Sequence, residues 1–214
     1  MIREVYYLDY FNGLLEGDKS RCREVVDKLF QEKTGIIEIY TGLFQKSLYQ
    51  VGKMWDQNKL SIGDEHLGTQ ITEELLYYCS SKIVPGRHTG KKALVSCINK
   101  EHHKLGARMA ADVFVINGWE TYFLGASTPT KEILKYVDLK KPDIVGLSFS
   151  FYINVIKLLD VVREIKSNFP SQKIVLGGRA ELNGHAEILT KFENVFYINT
   201  VTSLNDFLQR ESAV

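Results

Sequence analysis

Three cysteines and four prolines are all that 214 residues provide, and neither set is placed to build a scaffold. Cys22, Cys79 and Cys97 are odd in number, far apart and without CxxC spacing. That argues against a disulfide framework and against a structural zinc site, and leaves buried reduced thiols as the expectation. No stretch approaches the ~20 consecutive apolar residues of a membrane span. The opening Met1-Ile2-Arg3-Glu4-Val5-Tyr6-Tyr7 mixes charge with tyrosine where a secretory signal would be apolar. An excess of one charge is missing too. Twenty-seven basic side chains against twenty-six acidic ones leave +1, so there is no polybasic footprint for autonomous nucleic-acid binding. A cytoplasmic protein that engages neither membrane nor nucleic acid directly is expected.

What is present changes character near residue 84. Before it the periodicity is helical throughout. Arg3–Glu16 runs to Gly17, and Asp18 can cap a second helix through Glu32. A third, from about Gly35 to Trp55, carries Ile36, Ile39, Tyr40, Leu43, Leu48 and Val51 at helical spacing. Ser61 or Asp64 opens a fourth, with Leu67, Ile71, Leu75 and Tyr78 on one stripe. Four helices with short connections predict a bundle over 1–84. Residues 85–92, rich in Pro, Gly and basic side chains, read as a linker.

From 93 to 214 short apolar runs alternate with helical stretches. The runs are Ala93–Ile98, Glu120–Leu124, Ile144–Leu147, Ile174–Leu176 and Val195–Ile198. The helices between them include Thr130–Val137, Ile153–Asn168 and a shorter one after Leu176. This predicts a five-stranded parallel, doubly wound α/β domain of Rossmann or flavodoxin-like type. Ligands of such domains gather beyond the carboxyl ends of the strands, near the point where strand order reverses.

Directly after the first strand stands Asn99-Lys100-Glu101-His102-His103-Lys104-Leu105-Gly106, which brings an imidazole to that crevice. Forty-one residues separate Gly106 from Ser148 in Ser148-Phe149-Ser150, and twenty-six separate Ser150 from Gly177-Gly178. The competing reading is a flavodoxin-like domain with a surface histidine and ordinary turn glycines. The three spaced elements favour another. Over roughly residues 90–214 the chain resembles the cobalamin-binding domains of methionine synthase, corrinoid methyl carriers, mutases and cobalamin photoreceptors. Their pattern is Asp-x-His-x-x-Gly, then Ser-x-Leu, then Gly-Gly, at closely similar separations.

The resemblance implies that His103 replaces the cofactor's own benzimidazole as lower axial ligand to cobalt, for which a neutral imidazole is suited. Glu101, where Asp is usual, would fix the opposite ring nitrogen. The displaced nucleotide tail would thread the α/β domain past Gly106, Gly177 and Gly178, with Ser148 bonded to its base. Ser150 stands where Leu is usual and makes one wall of that slot more polar. His102, His88 and His185 are expected at the surface.

The bundle carries a second signature. Trp55 is followed by nine residues and then Glu65-His66. This resembles the CarH/LitR-type adenosylcobalamin photoreceptors, in which a helical cap covers the upper cobalt face. It implies that the Trp55 indole packs on the adenosyl group while Glu65 and His66 hydrogen-bond its ribose and base. Asp56 follows Trp55 where a light-state histidine ligand is expected, leaving water, Asp56 or His66 for that role.

The implied function is an adenosylcobalamin-dependent light sensor rather than an enzyme. Light-induced loss of the adenosyl group would change conformation or oligomeric state. Photoreceptor relatives carry an amino-terminal DNA-binding domain, whereas this chain begins with the cap. The expected output is therefore a protein partner, such as a transcription regulator, or self-association. The alternative is a corrinoid carrier of a methyltransferase system. A metal-free nucleotide- or flavin-binding module is remote, since there is no GxGxxG loop.

Overall fold

A computed structural model describes residues 1–150, 155–178 and 192–212. The chain divides into two compact units, Met1–Ile83 and Val84–Val214.

The first unit is helical. Helix α1 (Glu4–Glu16) ends at Gly17 in the left-handed region, and α2 (Lys19–Gln31) starts under an Asp18 side chain that accepts from the Arg21 N–H. A continuous helical run over 36–56 follows. It comprises α3 (Ile36–Ile39), a π segment (Tyr40–Gln45) and α4 (Lys46–Asp56). Helix α5 (Ile62–Ser80) opens with a reciprocal capping box, in which Ser61 and Asp64 satisfy each other's backbone N–H groups. Of the two starts left open by the sequence, Ser61 is thus the cap and Asp64 its partner three residues on.

The apolar stripes face one core. Cys22, Val25, Val26 and Leu29 of α2, and Gly68, Ile71, Thr72, Leu75, Leu76 and Cys79 of α5, recur every three or four residues and are buried. One polar pair lies within this core: Tyr10 and Thr72 are 3.1 Å apart, oxygen to oxygen. The Thr72 hydroxyl donates its proton to the Gly68 carbonyl at 2.9 Å, so Tyr10 is the donor to Thr72. Burial raises the Tyr10 phenol well above its ordinary pKa, which keeps it a neutral donor.

The second unit contains β1 (Lys92–Cys97), α6 (Leu105–Ile116), β2 (Glu120–Gly125), α7 (Thr130–Lys140) and β3 (Ile144–Phe149). It continues with α8 (Val155–Asn168), β4 (Lys173–Gly178), β5 (Val195–Tyr197) and α9 (Val201–Ser212). All strand pairs are parallel, in the order β2-β1-β3-β4-β5. The central strands β1, β3 and β4 are largely buried and read as apolar runs, while the edge strands β2 and β5 are only partly covered. Leu94, Val145, Leu147, Ile174 and Leu176 pack with Ile133 and Val137 of α7 and Leu158, Val162 and Ile165 of α8. The five-stranded parallel α/β fold expected from the alternation is the fold observed. Strand order reverses between β1 and β3, and the loops leaving those two strands therefore diverge to open a crevice.

The stretch 85–92, read as a linker, is fastened within the second unit at Gly86 and Thr89. The Gly86 N–H donates to the Val115 carbonyl at 3.3 Å, and the Thr89 N–H to the Gly118 carbonyl at 3.0 Å. The first strand accordingly begins at Lys92 rather than 93. The short helix expected after β4, the start of the Ile153–Asn168 helix and His185 lie outside the described residues. All three cysteines are buried. Among the described residues no helix is long and apolar enough to cross a membrane.

Ser47, fully buried just after the π segment, has a side-chain hydroxyl with no hydrogen-bond partner among the described residues. A buried unsatisfied hydroxyl costs about 1–3 kcal/mol. Ser47→Ala is therefore expected to stabilise the protein by about 1 kcal/mol, read as a higher urea midpoint with unchanged slope. A lower midpoint would show that this hydroxyl has a partner.

Candidate functional site

The loop from β1 to α6 is built around one carboxylate. Glu101 is 1% exposed. Its Oε1 accepts from the His103 N–H at 2.9 Å and pairs with His103 Nδ1 at 2.7 Å, and its Oε2 accepts from the Ser150 N–H at 2.7 Å. Burial raises the pKa of this carboxyl, but the bonds from His103 and Ser150 outweigh it and hold the group down at about 2. Glu101 is thus an anion at neutral pH and can only accept, so the proton between the two side chains sits on His103 Nδ1. In the neutral ring the lone pair is then on Nε2, on a side chain 60% exposed. The extra methylene of Glu101, relative to the usual Asp, does not prevent it from reaching the imidazole.

Among the described residues no group of three or more His, Cys, Asp or Glu side chains is placed to hold a metal ion. Cys97, at the end of β1, offers no thiolate: burial pushes its thiol up to about 12, with Glu101 adding to the shift. A single oriented imidazole suits a metal that arrives with its other ligands already attached, as cobalt in a corrin does. The donor set fits that group.

The remaining expected residues of this unit line the same edge of the sheet. Ser148 lies in register with Cys97 on one side and Gly177 on the other, and Gly178 is opposite Phe149. Ser150 contributes its backbone N–H to Glu101, so the departure from Leu leaves that bond intact. The glycines separate into two kinds. A Cβ on Gly178 would lie 1.8 Å from the Phe149 carbonyl oxygen, so the chain's own backbone demands glycine there. A Cβ on Gly106, in the first turn of α6, would meet nothing within 4 Å. Among the described residues no neighbour demands a glycine at 106, and the open space beside it is what a ligand passing close would need. The reason expected for Gly178, passage of the nucleotide tail, is therefore not required to explain it.

In the helical unit, Trp55 lies in the last turn of α4 and is 43% exposed. The turn 57–61 leads to α5, whose first turn presents Glu65 and His66. His66 Nε2 is 3.8 Å from Glu65 Oε2 and the His66 side chain is 70% exposed, while Glu65 Oε1 accepts from the Thr69 hydroxyl at 3.0 Å. Asp56 is exposed, as are His88 and His102.

Sequence reasoning missed the β2–α7 loop. The Ser127 N–H donates to the Glu101 carbonyl at 2.8 Å, the Ser127 hydroxyl accepts from the Lys100 N–H at 3.0 Å, and the Thr128 N–H donates to the Cys97 carbonyl at 3.2 Å. Gly125-Ala126-Ser127-Thr128-Pro129 carries an evident turn signal, but nothing in it reveals which loop it fastens.

An α/β unit that presents one carboxylate-oriented imidazole at the reversal of a parallel sheet defines a corrinoid-type binding module. Residues 91–197 match the model of the B12 binding domain, and residues 9–80 match a second B12 binding domain model. The chain belongs to the B12 binding domain family and is a cobalamin-binding protein. It is 23% identical over 171 residues to the HTH-type transcriptional repressor CarH of Myxococcus xanthus, covering 80% of this chain and 56% of that one. To the HTH-type transcriptional repressor CarA of the same organism it is 29% identical over 139 residues, covering 64% and 44%. The chain thus spans about half the length of the curated relatives it matches. Its fold is that of the Methanosarcina barkeri monomethylamine corrinoid protein, with a TM-score of 0.77 at 12% identity over 98% of this chain and 100% of that one.

The two kinds of glycine respond differently to a methyl group. Gly106→Ala is expected to leave the cofactor-free protein as stable or up to about 1 kcal/mol more so, because alanine favours a helix, while weakening corrinoid uptake at least tenfold. Gly178→Ala should lower the thermal midpoint of the cofactor-free protein itself. Calorimetry and spectral titration with aquocobalamin distinguish the two; equal effects on stability would mean that the space at Gly106 is not kept for a ligand.

Proposed function

We propose that the chain is an adenosylcobalamin-dependent light-sensing module, in which His103 is the lower cobalt ligand and Trp55, Glu65 and His66 read the upper one. The observation that carries this reading is the half-exposed indole of Trp55 at the end of α4, followed in the next helix by the partly buried Glu65 and the exposed His66. A large indole left partly in water is apolar surface awaiting a flat partner. Glu65 and His66 together offer acceptors and a donor of the kind that a ribose and an adenine engage.

Adenosylcobalamin supplies a cobalt–carbon bond that visible light breaks. The protein's own contribution is to hold the lower side constant and to let the upper side change. Glu101 keeps the His103 tautomer fixed whatever the upper ligand, whereas contacts from Trp55, Glu65 and His66 exist only while an adenosyl group is there to be touched. Such differential contact is what a ligand needs in order to shift a conformational equilibrium. Ser148, Gly106 and Gly177 are the residues we assign to the nucleotide tail, with Ser150 at its wall and Gly178 serving the fold beside it. The similarity to the transcriptional repressors CarH and CarA supports an output in transcription, delivered through a protein partner or by self-association rather than by direct nucleic-acid contact. A cytoplasmic location accords with that output.

A second reading, a corrinoid carrier serving a methyltransferase, is favoured by the fold match along the whole length of the monomethylamine corrinoid protein. Its upper face would need to stay open to a partner's active site, which leaves Trp55, Glu65 and His66 without a task.

Reconstitution with adenosylcobalamin in darkness, followed by green light, separates the two. Sensing requires rapid conversion to an aquo-type spectrum together with a shift in elution volume. A stable spectrum, with methylcobalamin preferred and turned over by a methyltransferase, would establish the carrier instead. Trp55→Ala is expected to retain cobalamin while losing most of the preference for the adenosyl form over the methyl form. His103→Ala should lose the absorption of imidazole-ligated cobalt, and an unchanged spectrum there would remove the ligand assignment.

A further inference from the structure

The loop that bears Glu101 and His103 is held from two sides. On one side the Ser150 N–H fixes the Glu101 carboxylate. On the other, Ser127 fixes the main chain from which that carboxylate extends: its hydroxyl accepts from the Lys100 N–H and its own N–H donates to the Glu101 carbonyl. The clamp uses an unusual backbone. Lys100 has φ +65° and Ser127 φ +48°, left-handed values at which residues other than glycine, asparagine and aspartate are uncommon and which cost of order 1 kcal/mol each. Two such residues, on two different loops, meet at one pair of hydrogen bonds. The Thr128 N–H to the Cys97 carbonyl, at 3.2 Å, adds a third bond between the same segments.

We propose that Ser127 is the positioning residue for His103: by pinning residues 100 and 101 it sets where the Glu101 carboxylate stands, and through it the imidazole, before any corrinoid arrives. The proposal rests on His103 being the cobalt ligand. Ser127 touches neither the metal nor the macrocycle in this account; it acts through the backbone of the β1–α6 loop. The hydroxyl supplies a fixed acceptor for the Lys100 N–H on the exposed side of the loop, where water would otherwise meet that donor without holding the loop in place. Asparagine can do both jobs, since it adopts the left-handed region readily and its Oδ1 accepts. Alanine can do neither.

The test compares Ser127→Ala and Ser127→Asn with the parent chain, using His103→Ala as the reference for the ligand itself. In the cofactor-free protein, hydrogen exchange at the Lys100 and Glu101 amides is expected to rise about fivefold or more in Ser127→Ala, the loss of one modest hydrogen bond, and to return towards the parent rate in Ser127→Asn. With aquocobalamin as the probe, Ser127→Ala should bind but show a severalfold smaller imidazole-on fraction, restored by Ser127→Asn. Ser127→Gly, which relieves the left-handed φ while removing the hydroxyl, takes the place of the alanine variant should that one not fold, and is expected to behave like it. Parent-like exchange and spectrum in Ser127→Ala would overturn the proposal alone, as would failure of Ser127→Asn to restore a lost signal. An imidazole-on spectrum surviving in His103→Ala would overturn the ligand assignment and the proposal with it.

Discussion

Removing the Glu101 carboxylate from water is the constraint around which the crevice is organised. Burying an isolated carboxylate costs several kcal/mol even after the protein relaxes. Hydrogen bonds to a charged group each return about 1.5–3 kcal/mol, and this one accepts from the backbone of His103, the ring of His103 and the backbone of Ser150. Burial raises the pKa of the carboxyl and the donors lower it, with the balance on the side of the anion. A permanent anion then dictates the rest. It draws the proton to Nδ1, presents Nε2 outward, and ties the loop after β1 to the end of β3, which are the two strands between which the sheet order reverses.

Reach, orientation and metal chemistry follow from this one group. No cluster among the described residues is equipped to hold a metal unaided. A macrocyclic metal brings its equatorial ligands and asks the protein for one axial nitrogen in a fixed direction. In the proposed function, His103 would meet that requirement with a ring whose tautomer is settled by folding rather than by binding. The entropy of orienting the imidazole is therefore spent before the cofactor arrives, as preorganised sites do in general.

Much of this was legible in the residues themselves. Gly17, Asp18 and Ser61 mark helix ends because capping chemistry is local, and the apolar runs of the second half announce a parallel sheet because both faces of its central strands are covered. The Glu101-x-His103-x-x-Gly106 spacing was readable for the same reason, since a hydrogen bond between side chains two residues apart is a property of one short loop. The hidden parts are non-local or lie in the backbone. Ser150 acts through an N–H that every residue but proline possesses. Ser127 is recognisable only once the β2–α7 loop is seen against the β1–α6 loop. The π segment at Tyr40–Gln45 leaves no mark, because Tyr40, Leu43, Phe44 and Val51 keep a spacing that an unbroken α-helix would also show.

The contrast between the glycines carries a lesson about how such families drift. Gly178 is compelled by the closeness of one strand's end to the carbonyl of its neighbour, and any descendant that keeps the sheet must keep it, whether or not it still takes up a corrinoid. Gly106 answers to no neighbour among the described residues. In a lineage that abandoned the cofactor, selection would have no hold on that position, and a helix-favouring residue would be free to settle there. Of the small residues in the signature, the solitary one in the first turn of α6 is thus the informative marker of a living site, and the conspicuous pair at the end of β4 is partly a record of architecture.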